Sequence, residues 1–182
     1  MSAPALTIFP LTPERFADFE LLFGPRGACG GCWCMFWKLS AAEFNLLRGD
    51  GAHAMLKARV EAGEIPGLLA YDGETPVGWV ALEPRADFPR LARSRVLKPV
   101  DPAEVWSVTC FFTAKSHRRR GVTVALLKAA VDYVASQGGK IVEGYPVEYK
   151  DRNTPAPFVF TGLPGAFRQA GGQHPLRGRR HE

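Results

Sequence analysis

Apolar residues in the first third of the chain recur mainly with helical spacing. Thr12 and Pro13 supply an N-cap and a first-turn proline, two residue types that suit the start of a helix. Ser40 and Glu43 form the sequence of a capping box, in which each side chain satisfies a free backbone N–H group of the other. This part of the sequence predicts a strand over Ala5–Leu11 and helices over residues 12–24, 40–49 and 52–62.

The pattern then changes to short β-prone runs. Gly67–Leu82 contains two of them around Asp72–Gly73, a dipeptide typical of a hairpin turn. Glu104–Thr113 is rich in β-branched and aromatic residues and predicts a central strand. Apolar residues at helical spacing then predict a helix from Val122 to Gly138. The remaining predictions are a loop over 83–103, a strand over Lys140–Val147 and a short helix over Leu163–Ala170.

This order of elements predicts one α/β domain over residues 1–182. A strand, helices and a hairpin precede a strand–helix–strand unit over residues 104–147. That last unit is the only one that requires a parallel pair of strands, because its helix forms a crossover connection. Residues 171–182 are basic and nearly devoid of strand-forming residues, which predicts an irregular tail.

The composition is that of a folded protein. The chain has 182 residues, of which 46% are hydrophobic and 23% charged. No apolar run approaches the roughly 20 residues that span a bilayer, so we expect no membrane association. The first residues lack the basic and apolar segments of a secretory signal. We therefore expect a cytoplasmic protein whose four cysteines are reduced thiols.

The net charge of +5 is concentrated in two places. One is the stretch from Lys115 to Arg120, and the other is the tail from Arg168 onward. In the rest of the chain, acidic residues outnumber basic ones. A nucleic-acid partner requires an extended basic surface. The local distribution argues against that partner and suits a compact anion.

The first basic stretch lies between the predicted central strand and the helix that follows it. It reads SHRRRG over residues 116–121. A helix start presents unpaired N–H groups and the positive end of the helix dipole, both of which attract phosphate oxygens. Gly121 lets the backbone approach a ligand closely. The alternative is a solvated basic helix start that binds nothing.

This strand–turn–helix resembles the pyrophosphate-binding loop of the GNAT superfamily of acetyl-CoA-dependent N-acetyltransferases. The family loop is [RQ]-x-x-G-x-[GA], and the chain carries it from Arg118 to Thr123, where threonine departs from the usual small residue. The element order matches the family over residues 5–170. The resemblance implies a mixed, mostly antiparallel sheet flanked by helices, with acetyl-CoA as co-substrate. The stretches GGCWCMFW, GWVALEPR, VWSVTCFF and VEGYPV resemble a bacterial subgroup without an assigned substrate.

The resemblance also implies which residues bind acetyl-CoA. The end of the central strand would pair with the pantetheine arm, and the loop would hold the pyrophosphate. The residues concerned are Cys110, Phe111, Phe112, Thr113, Arg118, Arg119, Arg120, Gly121, Val122 and Thr123.

For catalysis, the family relies on a base, an oxyanion donor and an acid. Glu104 is the first candidate base, with Glu83 and Glu143 as alternatives, and each of the three is otherwise a solvated or salt-bridged carboxylate. The donor would be a backbone N–H near Phe111 or Phe112. Tyr145 is the candidate acid, although a packing role is the simpler interpretation and water can fill either role.

A cysteine-rich aromatic segment separates the first two predicted helices. Cys29, Cys32 and Cys34 have a spacing seen in zinc sites, but no adjacent fourth ligand follows, so we expect no metal. The alternative is buried thiols that pack as small hydrophobic groups. In this fold the segment borders the acceptor pocket. We therefore expect its aromatic residues Trp33, Phe36 and Trp37 to form part of the pocket wall.

The sequence thus predicts an N-acetyltransferase that moves an acetyl group to a primary amine of a small molecule or peptide by direct transfer. The alternative is a weakly active or non-catalytic domain that binds acyl-CoA as a sensor or interaction module. The expected partners are acetyl-CoA and an amine acceptor, with no nucleic acid and no membrane. A homodimer is a further expectation, because the family often dimerises.

Overall fold

A computed structural model of the chain describes residues 5–147 and 160–171. The strands are β1 (Leu6–Pro10), β2 (Gly67–Asp72), β3 (Thr75–Pro84), β4 (Trp106–Thr113) and β5 (Val142–Gly144). The α-helices are α1 (Phe16–Phe23), α2 (Ala41–Leu47), α3 (Asp50–Glu61), α4 (Pro89–Arg93), α5 (Val122–Ser136) and α6 (Pro164–Gln169).

The five strands form one mixed sheet in the order β1-β2-β3-β4-β5. All neighbouring pairs are antiparallel except β4 and β5, which are parallel and joined by the crossover helix α5. The predicted fold class, including its single parallel unit, is confirmed.

Helices cover both faces of the sheet. On one face, α5 buries Leu126, Ala130 and Val134 against β2, β3 and β4, as its helical spacing predicts. On the other face, α1 and α3 bury residues such as Phe19 and Leu56 in a second core cluster. Each face of the sheet therefore packs against helices and contributes to a hydrophobic core.

Local signals in the sequence correctly predicted a helix start and a hairpin turn. The capping box is present, with Ser40 N donating to Glu43 Oε2 at 2.8 Å and Glu43 N donating to Ser40 Oγ at 3.3 Å. The hairpin turns after Asp72, as predicted.

Three predicted boundaries are wrong. β4 begins at Trp106, two residues later than predicted, and β5 spans only Val142–Gly144. β5 is short because it pairs with only the first three residues of β4, and the two strands diverge beyond that point. The predicted loop over 83–103 contains α4, which begins at Pro89 as proline favours at a first helical position. The tail prediction for residues 172–182 lies outside the described residues.

Candidate active site

The turn before α5 has the geometry of an anion site. Gly121 is the N-cap of α5, with φ +81°, a conformation that suits glycine. Ala125 N donates to Gly121 O at 3.0 Å, which opens the ladder of intrahelical hydrogen bonds. The N–H groups of the first turn therefore have no acceptor within the helix. A Cβ added to Gly121 would meet no atom within 4 Å, so this corner is open.

Three arginines directly precede this corner in the chain. Arg118, Arg119 and Arg120 are exposed, and Arg118 Nε donates to Thr113 O at 3.3 Å. His117 Nε2 lies 3.0 Å from Asp72 Oδ2, which fastens the turn to the β2–β3 hairpin. Three cationic residues thus directly precede a helix start with free N–H groups, a combination that suits phosphate.

Close packing holds the start of α5 against the sheet. A Cβ added to Gly78 of β3 would lie 2.5 Å from Val122 Cγ1, so the glycine makes room for the first turn of the helix. Val122 is buried, and Thr123 is half-buried beside it. Of the predicted loop residues, Arg118 to Gly121 therefore face solvent, whereas Val122 serves packing.

A cleft of about 540 Å³ runs from this turn to β4. It connects the two regions that the sequence assigned to the co-substrate, because Arg118 of the turn and Phe112 of β4 both line it. The other lining residues come from the end of α1 and the segment after it, and they are Phe23, Pro25, Arg26, Ala28 and Cys29.

The open edge of β4 determines which backbone N–H groups a ligand can reach. Trp106 N donates to Ile141 O beside β5 at 2.9 Å, and Ala114 N donates to Val77 O of β3 at 2.9 Å. A bulge lies near Thr109, where the β3–β4 register shifts. Beyond the bulge, Phe111 N faces the edge that β5 no longer covers. Because successive N–H groups alternate in direction, Phe112 N faces β3 together with Ala114 N.

The segment Phe160–Gly162 occupies this edge. Phe111 N donates to Phe160 O at 2.6 Å, and Val147 N donates to Gly162 O at 3.2 Å. The segment therefore lies between β4 and the chain that follows β5. Of the two backbone N–H groups named as oxyanion donors, Phe111 N faces this edge and Phe112 N faces β3, and the role itself stays a prediction.

Three polar residues lie side by side across β3, β4 and β5. The registers pair Ser107 with Glu83 on one side and with Glu143 on the other. Residues directly opposite each other point to the same face of a sheet. The sequence named both glutamates as alternative bases, and the sheet brings them to either side of the buried Ser107.

Both glutamates are paired with cations. Glu83 forms ion pairs with Lys38 Nζ and, at 2.8 Å, with Arg59 Nη2. Burial raises the pKa of the Glu83 carboxyl, an effect that the two cations oppose. Glu143 Oε1 lies 2.8 Å from Arg85 Nη1. Glu83 therefore anchors the chain at Lys38 to the sheet, whereas Glu143 belongs to a different group of contacts around Tyr145.

Tyr145 is the centre of that group. Its hydroxyl lies 2.8 Å from Ser107 Oγ and accepts from Arg85 Nη1 at 2.6 Å. Arg85 also donates to Leu97 O. Burial raises the pKa of Tyr145, so the hydroxyl stays protonated at neutral pH. Tyr145 directly follows the last paired residue of β5, Gly144, and thus stands where β4 and β5 separate.

Glu104, the first candidate base, lies elsewhere. It is exposed and precedes β4 by two residues, so it does not belong to the row that contains Ser107. The prediction placed Glu104 on the strand because its neighbours are β-prone. Its catalytic role stays a prediction, and the position of Glu143 beside the Tyr145 network is the more favourable one.

The aromatic residues of the cysteine-rich segment have separate roles. Trp33 is buried in the core and stacks on Phe23 with ring centroids 5.7 Å apart, and its place in the wall of an acceptor pocket stays a prediction. Phe36 and Trp37 lie beside Phe160, at 5.4 Å and 6.4 Å between ring centroids. Trp37 Nε1 is buried and has no hydrogen-bond acceptor among residues 5–147 and 160–171.

The cysteine-rich segment contacts β4 through Cys34. Cys34 Sγ and Cys110 Sγ are 3.9 Å apart, and both residues are buried. No group of three or more His, Cys, Asp or Glu residues in the described part of the chain could hold a metal ion.

Comparison with known protein families identifies the family to which the chain belongs. Residues 33–156, more than half of the chain, match the acetyltransferase (GNAT) family. The chain belongs to the GNAT acetyltransferase family. It is thus an N-acetyltransferase with acetyl-CoA as its co-substrate.

Solved structures agree with this GNAT fold. The structure of AAC(6')-Iy in complex with a bisubstrate analogue is 15% identical, with 97% of each chain covered and a TM-score of 0.59. AAC(6')-Ih from Acinetobacter baumannii is 14% identical, with 98% of this chain and 97% of that chain covered and a TM-score of 0.50. No curated protein sequence matches the chain. None of the described helices of this GNAT domain is long and apolar enough to cross a membrane.

Several residues of the candidate site carry no signal in the sequence. Ser107, Arg85 and Phe160 come from a strand, a loop and a distant segment, and only the pairing of β4 unites them. A single serine or arginine between apolar residues does not indicate a site. Knowledge of the β3–β4–β5 register would have found Ser107, because it lies between the two glutamates.

Proposed function

We propose that the protein transfers the acetyl group of acetyl-CoA directly to a primary amine of a small molecule or peptide. The supporting observation is a cleft that joins the turn at Gly121 to β4, and we infer that the path of the co-substrate follows this cleft to the strand edge at Phe111. Arg118 and Phe112 line the cleft that joins the turn to the strand. A ligand with phosphates at one end and an extended, amide-containing arm fits such a path.

Residues at the far end of the path have suitable chemistry for acyl transfer. Acetyl-CoA supplies a thioester, which is reactive toward a neutral amine. Once a ligand displaces Phe160 O, Phe111 N–H would stabilise the negative charge that develops on the carbonyl oxygen. Tyr145 would donate a proton to the departing thiolate, because its hydroxyl stays protonated. Glu143, or water held beside Ser107, would remove the proton of the amine.

The acceptor would approach from the side of Phe36 and Trp37. These rings flank Phe160, next to the donor group Phe111 N–H. Trp37 Nε1–H, which has no acceptor within the described part of the chain, offers a hydrogen bond to an acceptor molecule that carries oxygen atoms. The solved AAC(6')-Iy complex contains an acetylneamine derivative. An amine with hydroxyl groups is therefore a suitable first class of acceptor to test.

One observation favours the alternative of a sensor that binds acyl-CoA without rapid transfer. Phe160 O already occupies Phe111 N–H, so the oxyanion donor is engaged. In a sensor, the hydrogen bond between Phe111 N–H and Phe160 O would persist while acyl-CoA is bound. The turn at Gly121 alone would then hold the ligand through its phosphates.

Two measurements test the proposal. Calorimetry with coenzyme A reports binding, and thiol release from acetyl-CoA over a panel of primary amines reports transfer. We expect binding in the micromolar to millimolar range and amine-dependent thiol release. Binding without release from any amine would support the sensor. Absence of binding at millimolar coenzyme A would overturn both.

A further inference from the structure

The four cysteines of the chain converge on one place in the fold. Cys29, Cys32 and Cys34 come from the segment after α1, and Cys110 comes from the middle of β4. Cys34 Sγ and Cys110 Sγ lie 3.9 Å apart although their residues are 76 positions apart in sequence. Burial and the neighbouring thiols of Cys32 and Cys110 raise the pKa of Cys29, which places it in the same cluster.

The backbone that carries the three clustered cysteines is held in rare conformations. Ala28, Trp33 and Cys34 have φ values of +61°, +32° and +54°. Residues other than glycine adopt such values at a cost, and they tend to mark functional segments. A ligated metal would be one reason for this geometry. The described residues contain no group of three or more His, Cys, Asp or Glu that could hold a metal ion, which leaves close packing or thiol chemistry as the use of the cluster.

The thiols are not equivalent. Cys32 is half-buried, and hydrogen bonds from the Cys34 thiol and from backbone N–H groups lower the pKa of Cys32 to about 7. Cys34 and Cys110 are buried, and burial raises the pKa of Cys34. A partly exposed thiolate beside a protonated thiol is the arrangement of a redox-sensitive cysteine with a resolving partner.

We propose that Cys32, Cys34 and Cys110 form an oxidation site for a hydroperoxide, with Cys32 as the reacting thiolate and a Cys34–Cys110 disulfide as the product.

The reaction balances in three steps. The Cys32 thiolate attacks one oxygen of hydrogen peroxide, the O–O bond breaks, and the products are a sulfenic acid and hydroxide. The sulfur of Cys34 displaces the hydroxyl, which leaves as water with the Cys34 proton. The sulfur of Cys110 then attacks Cys34 and releases the Cys32 thiolate, while the Cys110 proton joins the hydroxide as a second water. Two thiols lose two electrons, and the peroxide gains them.

The low pKa of Cys32 favours the last step. In disulfide exchange, the sulfur of lower pKa is the better leaving group. Cys110 is in contact with Cys34 and needs to approach it by only about 2 Å to reach disulfide length.

The product would link the segment after α1 to β4. Ala28 and Cys29 of that segment and Phe112 of β4 line the cleft. A covalent bond between the two elements that carry these lining residues would restrict the opening of the cleft, so we expect oxidation to weaken coenzyme A binding severalfold. This consequence rests on the proposed path of the co-substrate, whereas the disulfide itself does not.

The test oxidises the full chain with one equivalent of hydrogen peroxide at pH 7, followed by peptide mapping without reductant. We expect a Cys34–Cys110 cross-link and, with dimedone present, a labelled sulfenic acid at Cys32. Cys32→Ser is expected to slow cross-linking about tenfold or more, and Cys29→Ser, the matched control, is expected to leave it unchanged. A cross-link that contains Cys29, or equal rates for native protein and Cys32→Ser, would overturn the proposal.

Binding is measured separately. Coenzyme A affinity before oxidation, after it and after reduction with dithiothreitol tests the consequence. Unchanged affinity of the cross-linked protein would overturn the effect on binding. If the reduced protein does not bind coenzyme A, the proposed function fails, while the cross-link still tests the oxidation site.

Discussion

Phe111 N–H, on the edge of β4, donates a 2.6 Å hydrogen bond to the carbonyl oxygen of Phe160. The donor belongs to the strand that the sequence assigned to the co-substrate, and the acceptor belongs to a segment 49 positions later. The carbonyl of Phe160 therefore stands where a carbonyl group of a bound ligand would accept the same hydrogen bond. The energetics of ligand binding at this edge depend on how firmly the segment Phe160–Gly162 is held.

Phe160→Ala is expected to tighten coenzyme A binding. The Phe160 ring packs against Phe36 and Trp37, and its loss weakens the attachment of a segment that a ligand must displace. We expect a dissociation constant lower by about threefold to tenfold, the range of one net hydrogen bond, measured by calorimetry. Leu163→Ala is the control, because Leu163 is 48% exposed. Equal affinity in both variants would show that the segment does not compete.

Gly121→Asp is expected to abolish coenzyme A binding. Gly121 is the N-cap of α5 and has φ +81°, with open space around it. A carboxylate there would repel phosphate from the helix start. Gly121→Asn has nearly the same shape without the charge, and asparagine tolerates this backbone conformation. We expect calorimetry to detect binding by the asparagine variant only. Comparable losses in both variants would assign the effect to shape or backbone instead of charge.

Glu143→Gln is expected to reduce the rate of acetyl transfer more than Glu104→Gln. Glu143 joins the Tyr145 network through Arg85, whereas Glu104 is exposed and outside the row of polar residues. Loss of a general base lowers the rate by about 10²-fold or more. Steady-state thiol release at saturating acetyl-CoA measures it. A larger effect at Glu104 would restore that residue as the base. Small effects at both positions would indicate that water removes the proton of the amine.

Trp37→Phe and Trp37→Ala are expected to differ in acceptor selectivity. The first keeps a ring beside Phe160 but removes the Nε1–H, and the second removes both. If Nε1 contacts the acceptor, Trp37→Phe raises the KM for hydroxylated amines about fivefold to tenfold, with little change for alkylamines. Identical selectivity in native protein and both variants would remove Trp37 from the pocket wall.

Alkylation of Cys32 is expected to follow a titration near neutral pH. Its pKa is lowered to about 7, so the thiolate fraction and the iodoacetamide rate rise between about pH 6 and 8 and then level off. The pKa of Cys29 is raised, so its rate keeps rising at higher pH. Mass spectrometry of digests separates the two sites. Parallel profiles for both cysteines would contradict this difference.

The lowered pKa of Cys32 also affects the stability of the folded protein. A thiol whose pKa is lower in the folded than in the unfolded chain stabilises the fold fully above its unfolded pKa, and this contribution is lost as the pH falls through about 7. The free energy of unfolding of native protein relative to Cys32→Ser should therefore increase from about pH 7 to 9. Urea titrations at the two pH values measure it.

Local patterns in the sequence determined the elements and the phosphate end of the site. The capping box at Ser40, the Asp72–Gly73 turn and the apolar stripe of α5 act within a few residues, so they can be read without the fold. The same holds for Gly121, because an anion site at a helix start needs only the turn and the first helical residues.

Only the tertiary structure decided the chemistry at the other end of the path. Ser107 lies between Glu83 and Glu143 because of strand register, and a register is fixed by packing over whole strands. The exposure of Glu104, the burial of Trp33 and the contact between Cys34 and Cys110 likewise depend on neighbours far away in sequence. Long-range contacts of this kind leave no periodic trace in the chain, which is why the fold could be predicted from the sequence but the arrangement around β4 could not, while the anion site at Gly121 stays a prediction.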